Sequence, residues 1–548
     1  MAKPRASLRK DFLHALLKSA YLPADLPPIV TARYFAEFSR NNFAVLDKKS
    51  DHYTAKSTEY AVFSVPRPNT GRRKLAIVSP IAQLGLSLLI TNRRSDIKKT
   101  LTSSAISMYG LDENLADGRA FRGLDFDQWH EKIYQIGSDY PFAVEADISR
   151  FFYTTYTHSF PWAVLGKKKA KELAKIKKND TWSDKLDLAI RRCQSSETFG
   201  IPVGPDTSRI IAELLMVGVE GHPSLKRHLA QDNAVRLIDD FYIGCNSEDD
   251  ARKILSDLET ALWDFNLQLN EDKSGVKPTK HKHTEIWRYE FDSIKTKHLN
   301  SKDERSTILG LLDKALHLSA IEGNELPAVW ASRRLLNLNR YEENLSLLLD
   351  TFLRLGRDFP STMKHVSEFI INNREIFHDE KRAKKLRRWI VSSIRSNLPK
   401  ENDLEVALAL FICGVLSISL EKNDFPEFET LPGPVSFALI GLLRQHRLLN
   451  FPLGEWNWRP TYKQMGATSP IWLPLYEAVL RGWTSDKSLE KEVTKLPLLN
   501  ELRKNKVTFL DDGLFKLAQI NFARRFYTFK NKKITANRTV KLSTNKYT

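Results

Sequence analysis

Two hydrophobic periodicities divide the chain. Up to about residue 300, short apolar runs alternate with helically spaced segments, as in a chain that builds sheet and helix together. Ala61–Val65 and Lys74–Val78 flank the basic stretch Pro66–Arg73, which predicts strand, turn and strand. Phe142–Ile148 and Val235–Ile238 predict buried strands, and Ser208–Val219 predicts a helix after a turn rich in Gly and Pro. Beyond residue 300 the spacing becomes helical throughout. Ile308, Leu311, Leu312, Ala315 and Leu316 form one such stripe, and Leu345, Leu348, Leu349, Phe352 and Leu353 form another. Met363, Val366, Phe369 and Ile370 continue the pattern, with no strict sequence repeat. An all-helical region is expected, either stacked pairs of the solenoid kind or a compact bundle. The longest apolar run, Val406–Leu420, contains Ser417 and Ser419 and falls short of the ~20 residues of a membrane span, so a buried helix is expected.

Charge changes this picture more than composition does. Hydrophobic residues make up 42% of the 548, which suffices for sizeable cores, but the formal net charge is +18. Such a surplus favours a polyanionic partner, with solubility as the plainer explanation. Basic residues cluster at Lys167–Lys178, Lys381–Arg388 and Arg524–Lys546. The last cluster also carries Phe526, Tyr527 and Phe529, the basic and aromatic mixture of single-strand binding surfaces, although a solvated or disordered tail has the same composition. The three cysteines, Cys193, Cys245 and Cys413, have no metal-ligand spacing and provide no disulfide framework, so a reducing, cytoplasmic setting is expected. The basic N-terminus is followed by no sustained apolar core, so no secretory signal is expected.

The candidate chemistry lies in Phe142-Ala-Val-Glu-Ala-Asp147-Ile-Ser-Arg-Phe-Phe152 and Arg236-Leu-Ile-Asp239-Asp240-Phe-Tyr-Ile-Gly244. Each puts a carboxylate where an apolar strand ends, and converging carboxylates are the usual oxygen cage for Mg²⁺. Two such ions about 3.5–4 Å apart can activate a 3′-hydroxyl and stabilise departing pyrophosphate. Asp147 and Asp239 would hold both ions, the backbone carbonyl of Ile148 would complete one sphere, and Asp240 would support the cage. Mn²⁺ is an alternative to Mg²⁺.

Five motifs in order resemble those of reverse transcriptases, and more narrowly the bacterial abortive-infection or defence-associated branch (the unknown-group enzymes). The hairpin around Arg73 resembles the fingers, and Asp147-Ile-Ser-Arg-Phe-Phe152 resembles the first palm motif. Tyr156-Thr-His-Ser-Phe-Pro-Trp162 resembles that branch in particular. Gly200-Ile-Pro-Val-Gly-Pro-Asp-Thr-Ser208, Ile238-Asp239-Asp240-Phe241 and Leu269-Asn-Glu-Asp-Lys273 resemble the second, third and fourth motifs. The resemblance covers about residues 55–295. It implies catalytic Asp147, Asp239 and Asp240, and a nucleotide site containing Arg73, Phe152, Gly204 and Lys273. Arg73 would grip triphosphate with its forked donors. Phe152 would crowd a 2′-hydroxyl or, alternatively, pack in the core, and Lys273 would act near the pyrophosphate. Gly200 and Gly204 would let backbone approach the template–nucleotide pair.

The chain also departs from the pattern. Val203 stands where many templated enzymes carry glutamine, and Ile238 precedes the Asp pair in place of Tyr or Ala. Trp287-Arg-Tyr-Glu-Phe291 is the candidate primer-supporting turn, and no short thumb or RNase H follows it. The expectation is an α+β right-hand polymerase followed by an all-α, repeat-like region. Its parts are a helical extension (1–55), fingers and palm (56–300), the helical region (301–520) and a basic tail (521–548). By resemblance the activity is addition of dNTPs in antiphage defence, protein-primed and not conventionally templated, by a homo-oligomer whose single-stranded DNA product is covalently attached. The 16 tyrosines permit a tyrosine primer and identify none. The rivals are an RNA-templated enzyme using a dedicated noncoding RNA, and a nucleic-acid-binding scaffold that recruits a defence partner. A bacterial cytoplasmic location without a membrane partner completes the expectation.

Overall fold

A small hairpin and a four-stranded sheet are embedded in a mostly helical α+β structure. This computed structural model describes residues 5–516 other than 70, 113–114, 116–119, 122–125, 177–179, 282–286, 427–431 and 452–465. The cluster Arg524–Lys546 with its three aromatics lies outside the described residues, as do Lys177 and Lys178.

The predicted hairpin forms. β1 (Ala61–Pro66) pairs antiparallel with β2 (Arg72–Ile77), with Phe63 opposite Leu75 and Val65 opposite Arg73. Gly71 serves the turn at φ +70°, where a side chain would be strained. The second sheet comprises β3 (Phe142–Ala146), β4 (Ala234–Leu237), β5 (Asp240–Cys245) and β6 (Gly275–Pro278), in the order β4-β5-β3-β6. Every neighbouring pair in it is antiparallel. Two strands end earlier than expected. β4 stops at Leu237 because the chain reverses there, and β3 stops at Ala146, with Ile148 making an isolated bridge to Leu269.

Strand alternation sends successive side chains to opposite faces, and both faces of the sheet are covered. Ala143, Val235 and Tyr242 pack with Ile133 and Ile136 of the helix Phe126–Asp139. Gly244 lets that helix approach, since a Cβ there would lie 2.5 Å from Ile136 Cγ2. Helix Glu248–Asp264 packs against β3, β5 and β6. Ser247 caps it, accepting from the Asp250 amide at 3.1 Å, and Glu248, Asp249 and Asp250 complement its positive end. The predicted Ser208–Val219 helix extends over Asp206–Glu220.

Beyond residue 300 the described elements are helical, as the spacing predicted. Ser301–Glu322, Leu326–Leu335, Leu345–Asp358, Met363–Asn372, Glu380–Asn397 and Asp403–Leu416 each pack on helices close by in sequence. The apolar run from Val406 is a buried helix that ends at Leu416, with Ser417 in the left-handed region at φ +54°. Among the described residues no helix is long and apolar enough to cross a membrane. Trp287–Ser293 is a helix and not the expected turn. Trp287 and Phe291, one helical turn apart, meet edge to face at 6.1 Å and are buried, with Trp330 of the helix Leu326–Leu335 edge-on to Trp287 at 6.2 Å. All three cysteines are buried and unbridged.

One hydrophobic core runs from Phe12 to Phe515. The change of pattern near residue 300 is therefore a change of secondary structure within a continuous core. The chain's last described segment returns to its first: Thr31 N donates to Phe509 O and Asp511 N to Ile29 O, both at 2.8 Å. Trp472, fully buried, donates its Nε1 hydrogen to Ile77 O of β2 at 3.0 Å.

Candidate active site

The three predicted carboxylates meet at one end of the four-stranded sheet. Ala146 pairs with Phe241, so continuing that register sets Asp147 opposite Asp240. β4 passes into β5 through Ile238 and Asp239 alone, because Leu237 pairs with Asp240. A two-residue reversal is what carries Asp239 and Asp240 to the sheet's end. It also forces Ile238 to φ +59°, a costly conformation for a β-branched residue.

A buried ion network holds that strained turn. Arg236 Nη1 donates to the Ile238 carbonyl at 2.8 Å. The same guanidinium is bidentate to Glu213, at 3.0 Å for each contact, and donates through Nε to Glu220 at 2.5 Å. Ser107 Oγ adds a bond to Glu213 Oε2 at 2.8 Å. Burial opposes the charge on Arg236, but Glu213 and Glu220 outweigh it and raise its pKa further.

Asp147 is fixed by the fourth motif. The Asn270 amide donates to Asp147 O at 2.8 Å, and the Asp147 amide donates to Ser274 Oγ at 3.1 Å. The Asn270 side chain donates to Asp147 Oδ2 at 2.8 Å, and Lys273 Nζ lies 3.5 Å from the same oxygen. The bridge between Ile148 and Leu269 closes this junction and keeps Ile148 directly behind Asp147. Sequence motifs far apart in the chain are therefore neighbours in space.

The cluster is crowded with negative charge. Burial, and then the charge of Asp147, push Asp239 up to about 6, with Lys273 and Arg73 pulling the other way. Asp240 is likewise raised by burial and by Asp239 and Asp147, and it shares a hydrogen bond with the Asp147 carboxyl. Asp240 is exposed at the surface, where repulsion from the neighbouring carboxylates disfavours its charge. Arg73 lies within the same field. Burial and Arg67 lower its pKa, while Asp25, Tyr153 and Asp239 support its charge.

The structure thus brings Arg73, Asp147, Asp239, Asp240 and Lys273 together, with Ile148 at the same strand end. Phe152 follows on the short helix Phe151–Thr154, partly buried, with its ring edge-on to Phe151 at 5.4 Å. Its neighbour Tyr153 donates from its hydroxyl to Lys74 O at 3.0 Å and joins this helix to β2. The glycines of the second motif have a nearer reason than an approaching template. Gly200, at φ +80°, would set a Cβ 3.2 Å from Tyr153 O, and Gly204, at φ +129°, would set one 2.7 Å from Pro23 Cγ. Both allow the motif to pack against the protein itself, and Val203 O there accepts from the Ala76 amide of β2 at 2.8 Å.

Hard oxygen donors that repel one another suit a divalent cation such as Mg²⁺ in chemistry. Among the described residues, however, no three His, Cys, Asp or Glu side chains are arranged to hold a metal ion: the three acids share the sheet's end without being disposed around one ion, and Asp147 is engaged by Asn270 and Lys273. Sequence reasoning missed Asn270, Ser274, Arg236, Glu213 and Glu220 as site residues. Glu213 carried a readable signal, an acid set among Ile210, Ile211, Leu214 and Leu215 in an apolar helix. Arg236 carried another, a charge inside a buried strand. No protein-family model matches the chain, and no curated protein matches it.

Proposed function

We propose that the protein is a nucleotidyltransferase of the polymerase kind, adding deoxynucleotides to a growing 3′ end. In this reading β1–β2 serves as fingers and the four-stranded sheet as palm. The observation that carries it is the convergence of Asp147, Asp239 and Asp240 at one sheet end, faced by Arg73 and Lys273. Bound Mg²⁺ would activate the attacking hydroxyl and neutralise charge developing on the phosphates.

The chain's own residues do the positioning, which is most of the work in such a transfer. Asp147 and Asp239 offer oxygen ligands with the Ile148 carbonyl beside them, and Asp240 adds negative charge to the same end of the sheet. Asn270 holds one Asp147 oxygen by its side chain, and Asp240 shares a hydrogen bond with the same carboxyl. Arg73 supplies a forked cation for the triphosphate. Lys273, largely exposed and 3.5 Å from Asp147, is placed to donate a proton toward the departing pyrophosphate. Phe152 borders the sugar. The net charge of +18 favours a nucleic-acid product or template. The motif resemblance extends the reading to antiphage defence, with a protein-linked single-stranded DNA product made by a homo-oligomer.

The test incubates the pure protein with each labelled dNTP and Mg²⁺, then treats the product with protease or RNase. Incorporation by the wild-type chain and none by the Asp239→Ala/Asp240→Ala variant is the expected outcome. A product whose mobility shifts after proteolysis would point to protein priming, and a co-purified complementary RNA would point to templating. Wild-type incorporation by the double variant would end the assignment.

A further inference from the structure

The hairpin that carries Arg73 is gripped by the helical region. Adjacent strand residues face opposite ways, and β2 uses this at its start. Arg73 projects to the opposite face of the strand from Arg72, where Asp25, Tyr153 and Asp239 support its charge. Arg72 is turned toward the helix Asp403–Leu416, where its guanidinium meets the Glu405 carboxylate with two bonds, at 2.7 and 2.8 Å. Glu405 is buried, with 3% of its side chain exposed.

The grip is more than one ion pair. Arg72 Nε also donates to Ser64 Oγ at 2.6 Å, across the hairpin. The Ser64 amide in turn donates to the buried Asp403 carboxylate at 2.7 Å. At the hairpin's tip, the Glu325 amide donates to Pro68 O at 2.8 Å. At its far end, Trp472 donates to Ile77 O. Both strands and the loop between them are thus fastened to residues more than 250 positions later in sequence. A bidentate Arg–carboxylate pair fixes orientation as well as distance, because both partners are planar.

We infer that Arg72, Glu405 and Asp403 are positioning residues for the nucleotide site: the helical region sets where Arg73 points. This rests on the polymerase reading above and deepens it, because it makes the helical region a working part of the triphosphate site. A hairpin held this way does not swing freely. Whatever shifts the helix Asp403–Leu416 shifts Arg73 with it.

The test measures KM for dNTP and kcat in the full chain carrying Glu405→Gln or Arg72→Lys, alone and combined with Arg73→Ala. Each single clamp variant is expected to raise KM about tenfold with kcat within about twofold, the pattern of weakened substrate binding. In the Arg73→Ala background the same changes are expected to add less than about twofold, because residues that act through one another are not additive. Thermal melting identifies any variant that has lost its fold. An unchanged KM in a folded clamp variant would overturn the inference, as would a full, additive effect in the Arg73→Ala background. Failure of both clamp variants to fold would overturn it too, reducing the contacts to a structural brace. An inactive wild-type chain would remove the polymerase reading and this inference with it, and is distinguished by the wild-type assay alone.

Discussion

Two charge clusters lie three residues apart along β4 and its turn, and they have opposite characters. Arg236, Glu213 and Glu220 are buried and bonded to one another, two acids around one forked cation. Asp147 and Asp239 are partly buried and Asp240 is exposed; they crowd three acids together and have only flanking cations to oppose them. The first cluster has satisfied its charges internally, and a further Arg236 donor goes to the Ile238 carbonyl. The second holds charge in excess of what the protein returns. The compensated cluster supports the turn that presents the other, and in the proposed reading the uncompensated charges serve a ligand.

The sharpest way to break this contrast is at the open cluster. Asp147→Asn and Asp239→Asn should each lower incorporation by about 10³-fold or more, since positioned charge carries this chemistry, while leaving the melting temperature unchanged or raised. A variant that keeps activity would place the site elsewhere. Next in size is the closed cluster. Arg236→Met leaves Glu213 and Glu220 buried without their cation and should cost about 3–5 kcal/mol in urea unfolding. A change under about 1 kcal/mol would mean that the network does not carry the turn.

The two clusters should also differ in pH dependence. Asp239, raised to about 6, binds its proton more tightly folded than unfolded. Its stabilising contribution is full below the ordinary carboxylate pKa of about 3.9 and is lost as pH rises through about 6. Metal-free protein should therefore lose stability over that window, and Asp239→Asn should flatten the slope. Equal slopes in the two proteins would deny that the acids crowd one another. The smallest effect is expected at Ile238→Gly, which relieves the positive φ at an entropic cost, so stability should shift by less than about 1 kcal/mol. A larger loss would mean that the isoleucine side chain, rather than its carbonyl, holds the turn.

Much of this was legible in local pattern. Short apolar runs marked β1, β2, β3 and β4, helical stripes marked the region beyond residue 300, and acids at strand ends marked Asp147, Asp239 and Asp240. Both hairpin arms and the turn before Asp206–Glu220 follow from short-range chemistry. The primer-supporting turn was misread because Trp287 and Phe291 are spaced for one helical face, and burial against Trp330 decides the matter. Gly204 carries a constraint that its motif does not show, because Pro23, remote along the chain, packs where its Cβ would lie.

By itself, the order of residues indicated β1 to β4, the helices beyond residue 300 and the acids placed at strand ends, because those depend on neighbours within a turn or a pleat. Only the tertiary structure decided that Asn270 holds Asp147, that Glu213 and Glu220 hold Arg236, and that Glu405 grips Arg72 beside Arg73. Each of those is a hydrogen bond between parts of the site joined by packing. Local periodicity carries no information about which distant partner a polar group will find once burial obliges it to find one.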